Sequence, residues 1–432
     1  MNILLKNIRA IVPDGKKDKV VTTDICISGE DIVAVGSVPA DFTPEKVVEG
    51  AGKLAIPGLI NCHTHSYMSY MRNAADDLSF MDWLFGKVDP IEQKMTDEDA
   101  YWGACLAIIE MVKSGTTCFN DMHMNKMQTT KAVKESGIRA CIGRGIVGGM
   151  EDGKPNEGGL KRINDILEER EAFKDCDRMT FRLAPHAPYT VDPGFMRYIS
   201  DLAKKEGMNI HVHLSESVSE IEQMKEKYGV SPIKLAEDNG LFDVPCIAAH
   251  CVQVDDADID IMAKHNVSVV SNPASNMKLG NGFAPIPEML AKGVNVCLGT
   301  DGAASNNRLN MFHEMSLMAL IHKGTKRDPQ VVSAAQVFRM ATINGAKALD
   351  LSDKIGSIEA GKKADIAILD LNSPSLIPDN NLIAALSYSA NGSEVESVIV
   401  NGEFIMENRK MLGLDEELVY KKVREITARI VE

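Results

Sequence analysis

One segment of the sequence ends in two histidines separated by a single residue: Leu59-Ile60-Asn61-Cys62-His63-Thr64-His65. Alternate residues of a β-strand point to the same side, so a strand here would present both imidazoles on one face. The apolar run Leu54-Ala55-Ile56 leads into it and indicates a buried strand. Two unrelated histidines on a solvated strand end are the weaker interpretation. We therefore predict that this pair binds one ion.

Seven further apolar segments follow this strand, and helical patterns separate most of them. The predicted strands are 59–65, 116–120, 139–143, 180–184, 209–213, 246–250, 267–271 and 294–298. The predicted helix 96–113 begins with a capping pattern, Thr96 followed three residues later by Asp99. Further helices are predicted at 127–136, 160–173, 194–206, 218–228 and 257–265. Eight strand–helix units predict an α/β fold, a (β/α)8 TIM-type barrel.

Both ends of the chain have strand patterns of a different kind. Residues 24–36 form a hairpin pattern, and residues 398–406 form another around Asn401-Gly402, a dipeptide suited to a tight primed turn. Residues 415–431 have helical spacing. We expect residues 1–57 and 353–432 to form a small β-sandwich domain with a final helix, and residues 58–352 to form the barrel.

Composition narrows the classes of function. The chain has 432 residues with 47 Lys and Arg against 61 Asp and Glu, a formal charge of −14, which argues against a nucleic-acid partner. No stretch approaches the roughly 18 apolar residues of a membrane span. The nine cysteines include no CxxC pair, which is typical of reduced thiols in a cytoplasm. We expect a cytoplasmic homo-oligomer that acts on a small molecule, with no membrane partner.

Polar residues at the strand ends are the main functional signal. His63, His65, His186, His213 and His250 lie at or just past the ends of predicted strands, and Asp301 follows the last strand. Catalytic groups of a barrel collect at the carboxyl ends of its strands. One such residue has an ordinary structural explanation as a loop side chain. Six of them together indicate an active site.

A second histidine pair, His211 and His213, leaves a choice of ligand. A zinc site with three or four protein ligands has room for only one of them. We assign His213, because it is nearer the strand end and Glu216 follows it by three residues. A carboxylate at that place can take a proton from metal-bound water. We interpret His211 as a core residue or as a support for a ligand.

Asp301 completes the predicted ligand set. It follows an apolar strand and lies in Gly299-Thr300-Asp301-Gly302, where a lone Asp before Gly is usually a turn residue. Three imidazole nitrogens and one carboxylate oxygen suit zinc, with iron as the second choice. We therefore predict one Zn²⁺ per chain, or Fe²⁺ in its place.

The motifs around these residues resemble the amidohydrolase superfamily, in its cytosine-deaminase-like branch. The matching motifs are 57–65, His213-Leu214-Ser215-Glu216, Ala248-Ala249-His250-Cys251 and Leu298-Gly299-Thr300-Asp301-Gly302. The resemblance covers essentially the whole chain, including residues 356–366. Within the branch, residues 271–282 are most similar to the 5′-methylthioadenosine/S-adenosylhomocysteine deaminase family, although triazine dechlorinases carry a similar stretch.

The resemblance implies roles for individual residues. His63, His65, His213 and Asp301 would ligate one zinc, Glu216 would protonate the ring nitrogen and shuttle protons, and His250 would orient the water. The family's substrate contacts fall on Glu92 for the ribose, His186 for the purine ring and Arg144 for the amino-acid tail of the substrate. The implied reaction is hydrolytic deamination of an adenine nucleoside that carries a 5′ substituent.

Several alternatives remain open. Glu92 could be a solvated acid at a helix start, Arg144 could pair with a surface carboxylate, and His186 could support a rigid loop. Some family members have a second arginine after the third strand, whereas here Lys161 and Arg162 come only in the following helix. Met68, Met71, Met81 and Trp83 could line a slot for a thioether or belong to the core.

Other reactions also fit the barrel. A guanine or other nucleobase deaminase, a triazine-type chlorohydrolase and a catalytically silent binding protein are the alternatives. Glu216 argues against simple displacement, because the departure of ammonia requires a proton donor. The chain has no GxxxxGK[ST] or GxGxxG loop for phosphate.

Overall fold

The computed structural model describes residues 1–431, and its strands fall into two large sheets and one short hairpin. In chain order the strands are β1 (Asn2–Asp14), β2 (Lys17–Ser28), β3 (Asp31–Gly36), β4 (Lys46–Glu49), β5 (Lys53–Pro57), β6 (Leu59–Thr64), β7 (Thr116–His123), β8 (Arg139–Ile146), β9 (Met150–Glu151), β10 (Lys154–Pro155), β11 (Met179–Pro185), β12 (Asn209–Leu214), β13 (Cys246–His250), β14 (Ser268–Ser271), β15 (Asn295–Leu298), β16 (Ile366–Asp370), β17 (Val395–Val400), β18 (Glu403–Glu407) and β19 (Lys410–Met411).

The helices connect and cover these strands. In chain order they are α1 (Phe80–Trp83), α2 (Asp89–Glu92), α3 (Asp97–Lys113), α4 (Gln128–Ser136), α5 (Glu157–Ala172), α6 (Pro193–Glu206), α7 (Val218–Tyr228), α8 (Pro232–Asp238), α9 (Asp256–Lys264), α10 (Pro273–Lys278), α11 (Ile286–Ala291), α12 (Ala303–Asn306), α13 (Met311–Lys326), α14 (Ala334–Met340), α15 (Ile343–Ala348), α16 (Leu382–Tyr388) and α17 (Glu416–Ile430). Short 3-10 helices occupy Ser66–Met71 and Pro374–Leu376, and a π-helical turn occupies Leu84–Val88.

The eight-stranded sheet is parallel and confirms the predicted barrel. Its eight strands run in the order β15-β14-β13-β12-β11-β8-β7-β6. The Asp301 amide donates to the His63 carbonyl at 2.9 Å, which joins the end of the last strand to the first. Strands β6, β7, β8 and β13 are buried along their whole length, because helices cover the outside and side chains fill the inside.

Local sequence signals explain where several elements begin and end. Thr96 and Asp99 form the predicted capping box at the start of α3. The turn at Asn401-Gly402 joins β17 to β18 as predicted, with Asn401 at φ 54° and Gly402 at φ 74°. A Cβ on Gly402 would lie 1.9 Å from the Gly29 carbonyl oxygen, so only glycine fits there.

The ends of the chain come together in the second large sheet. Hydrogen bonding joins its strands in the order β19-β18-β17-β16-β5-β1-β2-β3, and β4 also pairs with β1. The central pairing is antiparallel, from Ile366 opposite Pro57 to Asp370 opposite Lys53. This sheet has its own apolar core, built from isoleucines such as Ile8, Ile27 and Ile368. The two terminal segments therefore form one continuous sheet, although they are far apart in sequence.

Two helices of the C-terminal segment lie on the barrel. Helix α16 packs against α13 and α14, and α17 packs against α3. A buried ion pair between Arg139 of β8 and Asp365, just before β16, also links the barrel to the terminal sheet. The expected boundaries at 57/58 and 352/353 stay predictions, since helices after residue 352 cover the barrel.

Two further features concern residues 1–431. No helix in this range is both long enough and apolar enough to cross a bilayer. All nine cysteines are free thiols, and most are buried.

Candidate active site

Four side chains meet at the carboxyl ends of the barrel strands. His63 Nε2 lies 3.2 Å and His65 Nε2 lies 3.3 Å from the same oxygen, Asp301 Oδ1. His213 Nε2 lies 3.3 Å from His65 Nε2. Nitrogen and oxygen atoms this close together could bind one divalent metal ion. Two overlapping groups have this geometry, His63-His65-His213 and His63-His250-Asp301, and in each the ligand atoms lie within 4.8 Å of one another.

The other ring nitrogen of each of the three histidines is held by a neighbour. His65 Nδ1 lies 2.7 Å from the Met122 carbonyl oxygen, and His213 Nδ1 lies 2.8 Å from the His186 carbonyl oxygen. Since a carbonyl only accepts, both rings carry their proton on Nδ1. His63 Nδ1 lies 2.9 Å from His211 Nε2. For His65 and His213 these contacts leave the Nε2 atom free to bind a metal, which is the usual arrangement around metal-ligating histidines.

His63 Nε2 is the buried polar atom that most clearly suits a metal ion. This atom is buried and makes no well-aligned hydrogen bond within residues 1–431, although Asp301 Oδ1 lies 3.2 Å away. Burial lowers the pKa of His63 to about 4 and the pKa of His213 well below its usual value. Both rings are therefore neutral near pH 7, the state in which imidazole binds a metal.

Asp301 is oriented by two serines. Ser275 Oγ and Ser305 Oγ donate to Asp301 Oδ2 at 2.7 and 2.6 Å, which leaves Oδ1 facing the histidines. The backbone of Asp301 has φ 59°. Left-handed backbone is uncommon outside glycine and concentrates at functional sites. A Cβ on the nearby Gly299 would lie 2.8 Å from the His63 backbone nitrogen, so glycine permits this close approach of β15 to β6.

Glu216 and His250 face each other beside these four residues. His250 Nε2 lies 3.8 Å from Glu216 Oε2, and Asn281 Nδ2 donates to Glu216 Oε1 at 3.0 Å. His250 Nδ1 lies 2.9 Å from Asn276 Oδ1, so this nitrogen donates. Burial raises the pKa of Glu216, and the neighbouring His250 opposes that shift. A carboxyl group with a raised pKa is suited to proton transfer near neutral pH.

A cavity opens over this cluster, and the sequence-predicted Glu92 and His186 lie on its wall. Burial raises the pKa of Glu92, which accepts a hydrogen bond from the Tyr67 hydroxyl. Burial lowers the pKa of His186 to about 3, so its ring is neutral. The cavity has a largely apolar side, lined by Met68, Phe80, Trp83, Leu84, Val88, Met122 and Met124.

The methionine prediction holds only in part. Met68 and Trp83 line the cavity. Met71 is fully buried in the core, whereas Met81 is 54% exposed, and neither lines the cavity. The physical reason is helical geometry: residues of a short helical segment diverge around its axis, so only some can face the same space.

Arg144 does not lie on the cavity wall. Its Nη2 atom pairs with Asp165 Oδ2 of α5 at 3.3 Å, and its side chain is buried between β8 and that helix. Arg144 thus pairs with a carboxylate, as in the alternative interpretation, but Asp165 is buried and does not lie on the surface. The placement does not support its predicted contact with a substrate tail.

Arg162 lies closer to the cavity than sequence reasoning suggested. Its Nη1 atom donates to the Gly145 carbonyl at 3.1 Å and lies 3.7 Å from the sulfur of Met124, a cavity residue. Its positive charge opposes the rise that burial causes in the pKa of Glu92 and adds to the fall that burial causes in the pKa of His186. Helix α5 therefore places a cation against Met124 of the cavity wall, although Arg162 does not itself line the cavity.

Other supporting residues were missed by sequence reasoning. They share one property, a hydrogen bond to a predicted site residue, and are Ser275, Asn276, Asn281 and Ser305. Three of them lie in residues 271–282, the segment that resembled a deaminase family. That segment was the available signal, but only the folded chain shows which polar atom each residue contacts.

Comparison with known proteins agrees with this geometry. Residues 54–405 match the amidohydrolase family. The chain belongs to the amidohydrolase family.

Individual relatives of this amidohydrolase are similar over its whole length. It is 45% identical over 432 residues to a 5-methylthioadenosine/S-adenosylhomocysteine deaminase of Caldanaerobacter subterraneus subsp. tengcongensis, with 100% of this chain and 99% of that protein covered. It is 42% identical to a 5′-deoxyadenosine deaminase of Methanocaldococcus jannaschii, with 98% of each covered. A solved structure of an adenosine deaminase from Xanthomonas campestris with bound zinc superposes with a TM-score of 0.92 at 32% identity, covering 99% of this chain and 98% of that one.

Proposed function

We propose that this amidohydrolase is a zinc-dependent hydrolytic deaminase of adenine nucleosides that carry a 5′ substituent. The observation that carries the proposal is the full-length similarity, at 45% identity, to a protein named for deamination of two such nucleosides. The cavity supports it, since a proton-transferring carboxylate lies beside a metal-type donor cluster and an apolar wall.

The donor set fits zinc. We assign the ligand atoms to Nε2 of His63, His65 and His213 and to Oδ1 of Asp301, three nitrogens and one oxygen of the kind that zinc accepts. The buried, unbonded Nε2 atom of His63 supports this assignment. Zinc bound there, one per chain with iron as the second choice, would supply the Lewis acidity that activates water near neutral pH.

The chain's own residues then move the protons. Glu216 takes a proton from the attacking water and donates it to the purine ring nitrogen next to the amino-bearing carbon. His250, whose Nε2 faces Glu216, orients the water together with Asp301. Water adds to the carbon, the amino group leaves as ammonia, and the adenine becomes hypoxanthine. The proton left on the added hydroxyl group passes through Glu216 to the amino group, which leaves as ammonia when its bond to the ring carbon breaks.

The cavity wall suggests how the substrate lies. We propose that Glu92 accepts hydrogen bonds from the ribose hydroxyls and that His186 contacts the purine ring, as both line the cavity. Methionines such as Met68 and Met124 would contact an apolar 5′ group, because their thioethers adapt to irregular surfaces. Homo-oligomeric assembly and a cytoplasmic location remain predictions from the sequence.

A substrate panel tests the proposal. Purified protein loaded with zinc is mixed with 5′-methylthioadenosine, S-adenosylhomocysteine, 5′-deoxyadenosine, adenosine, guanine or atrazine. Ultraviolet absorbance measures the conversion of the aromatic ring of each compound. We expect conversion of adenine to hypoxanthine in the 5′-substituted nucleosides. Turnover of guanine or atrazine alone would favour another hydrolase of the same fold. No turnover of any compound would favour a binding protein.

A further inference from the structure

Glu314 is a buried acid that no step of the proposed reaction uses. It lies on α13 with none of its surface exposed, and it does not line the cavity. Its two oxygens bind two different segments. Oε2 accepts the backbone N–H of Ala274 in α10 at 3.1 Å, and Oε1 accepts Asn306 Nδ2 of α12 at 2.8 Å.

Each of these segments places a serine against Asp301. Ser275 follows Ala274, Ser305 precedes Asn306, and both hydroxyls donate to the same oxygen, Asp301 Oδ2. One carboxylate therefore connects the two short helices that orient one metal-type donor. Asn306 Nδ2 also donates to the carbonyl of Thr300 at 2.6 Å, directly before Asp301.

Helix α10 contacts a second site residue. Asn276 Oδ1 lies 2.9 Å from His250 Nδ1, and Asn276 is two residues from Ala274. A six-residue helix has few internal hydrogen bonds, so external contacts determine its position. A shift of α10 would therefore move the partners of both Asp301 and His250.

We propose that Glu314 is a positioning residue for the metal site. It holds α10 and α12 so that Ser275 and Ser305 occupy Oδ2 of Asp301 and leave Oδ1 directed at the three histidines. The inference rests on the proposed metal site and adds to it a residue outside the cavity.

Glu314→Gln tests this inference with little change in volume. Glutamine replaces one acceptor oxygen by a donor, so either the Ala274 N–H or the Asn306 amide loses its partner. Supporting partners of metal ligands typically contribute roughly 10–100-fold to metal affinity or activity. We expect the dissociation constant for zinc, measured by competition with a chelator, to rise by roughly that factor. We also expect kcat to fall with little change in KM, and the visible spectrum of the Co²⁺-loaded protein to change.

Glu394→Gln is the matched control. Glu394 is also buried, 1% exposed, and accepts backbone N–H groups of Asn391 and Gly392, the latter at 2.8 Å, outside the cavity. This variant should lose stability and keep the zinc affinity and Co²⁺ spectrum of the unaltered protein. Asn306→Ala removes only one of the two connections of Glu314. It should weaken zinc binding in the same direction, and it replaces Glu314→Gln if that variant does not fold.

The outcomes separate the inference from the proposed function. If Glu314→Gln, or Asn306→Ala in its place, lowers stability as Glu394→Gln does and leaves zinc affinity unchanged, Glu314 is only a structural residue and the inference is wrong. If the unaltered protein binds neither zinc nor iron, the proposed function itself is wrong.

Discussion

At the scale of single residues, the position of one proton determines what each site histidine can do. A carbonyl oxygen beside Nδ1 of His65 and of His213 keeps the proton on that nitrogen. Their Nε2 atoms are then left as lone-pair donors. Neighbouring polar groups also orient Glu216, since Asn281 donates to one of its oxygens and the other faces His250. The chemistry of the site thus depends on neighbours that never contact a substrate.

Glu216→Gln should abolish most turnover and spare the metal. The amide cannot carry the proton, so we expect kcat to fall by roughly 10²–10⁴-fold, the usual contribution of general acid–base catalysis. Zinc content by elemental analysis and substrate binding should be retained. The control is Glu222→Gln on the exposed side of α7, which should leave kcat unchanged. Unchanged turnover in Glu216→Gln would contradict proton transfer by this residue.

His211→Ala should weaken metal binding without removing a ligand. The sequence leaves His211 as either a core residue or a support for a ligand, and the structure favours the second, with His211 Nε2 2.9 Å from Nδ1 of His63. Loss of that partner frees the His63 ring to rotate, so we expect metal affinity to fall by roughly 10–100-fold.

Metal titration separates three histidine variants. His63→Ala should lose the metal almost entirely, His211→Ala should show an intermediate loss, and His322→Ala should show none. His322 is also buried, but it lies on α13 outside the cavity. Equal affinity in His211→Ala and His322→Ala would show that His211 is an ordinary core residue.

At the scale of elements, the packing of helix α5 gives Arg144 and Arg162 different neighbours. Asp165 of α5 pairs with Arg144. Arg162, three residues earlier on the same helix, contacts Met124 of the cavity wall. Positions three apart lie on the same side of a helix, so α5 can serve both contacts at once.

Arg162→Met should therefore discriminate between substrates, and Arg144→Met should not. S-adenosylhomocysteine has a carboxylate and 5′-methylthioadenosine has none. A charge-assisted hydrogen bond contributes roughly 1.5–3 kcal/mol, and 1.4 kcal/mol is about ten-fold in affinity. We expect Arg162→Met to raise KM for S-adenosylhomocysteine about ten-fold or more and to change KM for 5′-methylthioadenosine little. The measurement is kcat/KM for both substrates in each variant. A selective loss for S-adenosylhomocysteine in Arg144→Met would show that Arg144, and not Arg162, binds the carboxylate.

At the scale of the whole molecule, a buried ion pair joins the barrel to the terminal sheet. Arg139 Nε lies 2.7 Å from Asp365 Oδ2, Arg139 Nη2 lies 3.1 Å from Oδ1, and the Asn401 N–H also donates to Oδ1 at 2.8 Å. Removing one partner of such a pair leaves an uncompensated buried charge.

Arg139→Met should lower the free energy of unfolding by about 3–5 kcal/mol. Arg178→Met is the matched control, because its partner Glu403 is exposed and an exposed pair contributes only about 0–1 kcal/mol. Denaturant unfolding measures both variants, and activity per folded molecule should be unchanged. A loss below about 1 kcal/mol for Arg139→Met would show that the two parts of the molecule do not depend on this pair.

The sequence by itself determined the barrel and the residues at its strand ends. Buried parallel strands require apolar runs, and a polar residue within about three positions after such a strand, as His65 and Asp301 are, lies at the carboxyl edge. Capping and turn residues act within a few positions of the chain, which is why the start of α3 and the turn at Asn401-Gly402 were also predictable.

Only the tertiary structure decided which polar atoms meet. Arg144 and Arg162 have the same chemistry in the sequence, and the direction of each side chain depends on how α5 packs on β8. The contact of Ser275 with Asp301 and that of Glu314 with Ala274 join segments 26 and 40 residues apart. Hydrogen bonds require distances near 3 Å and defined angles, and a pattern of residue types along the chain contains neither.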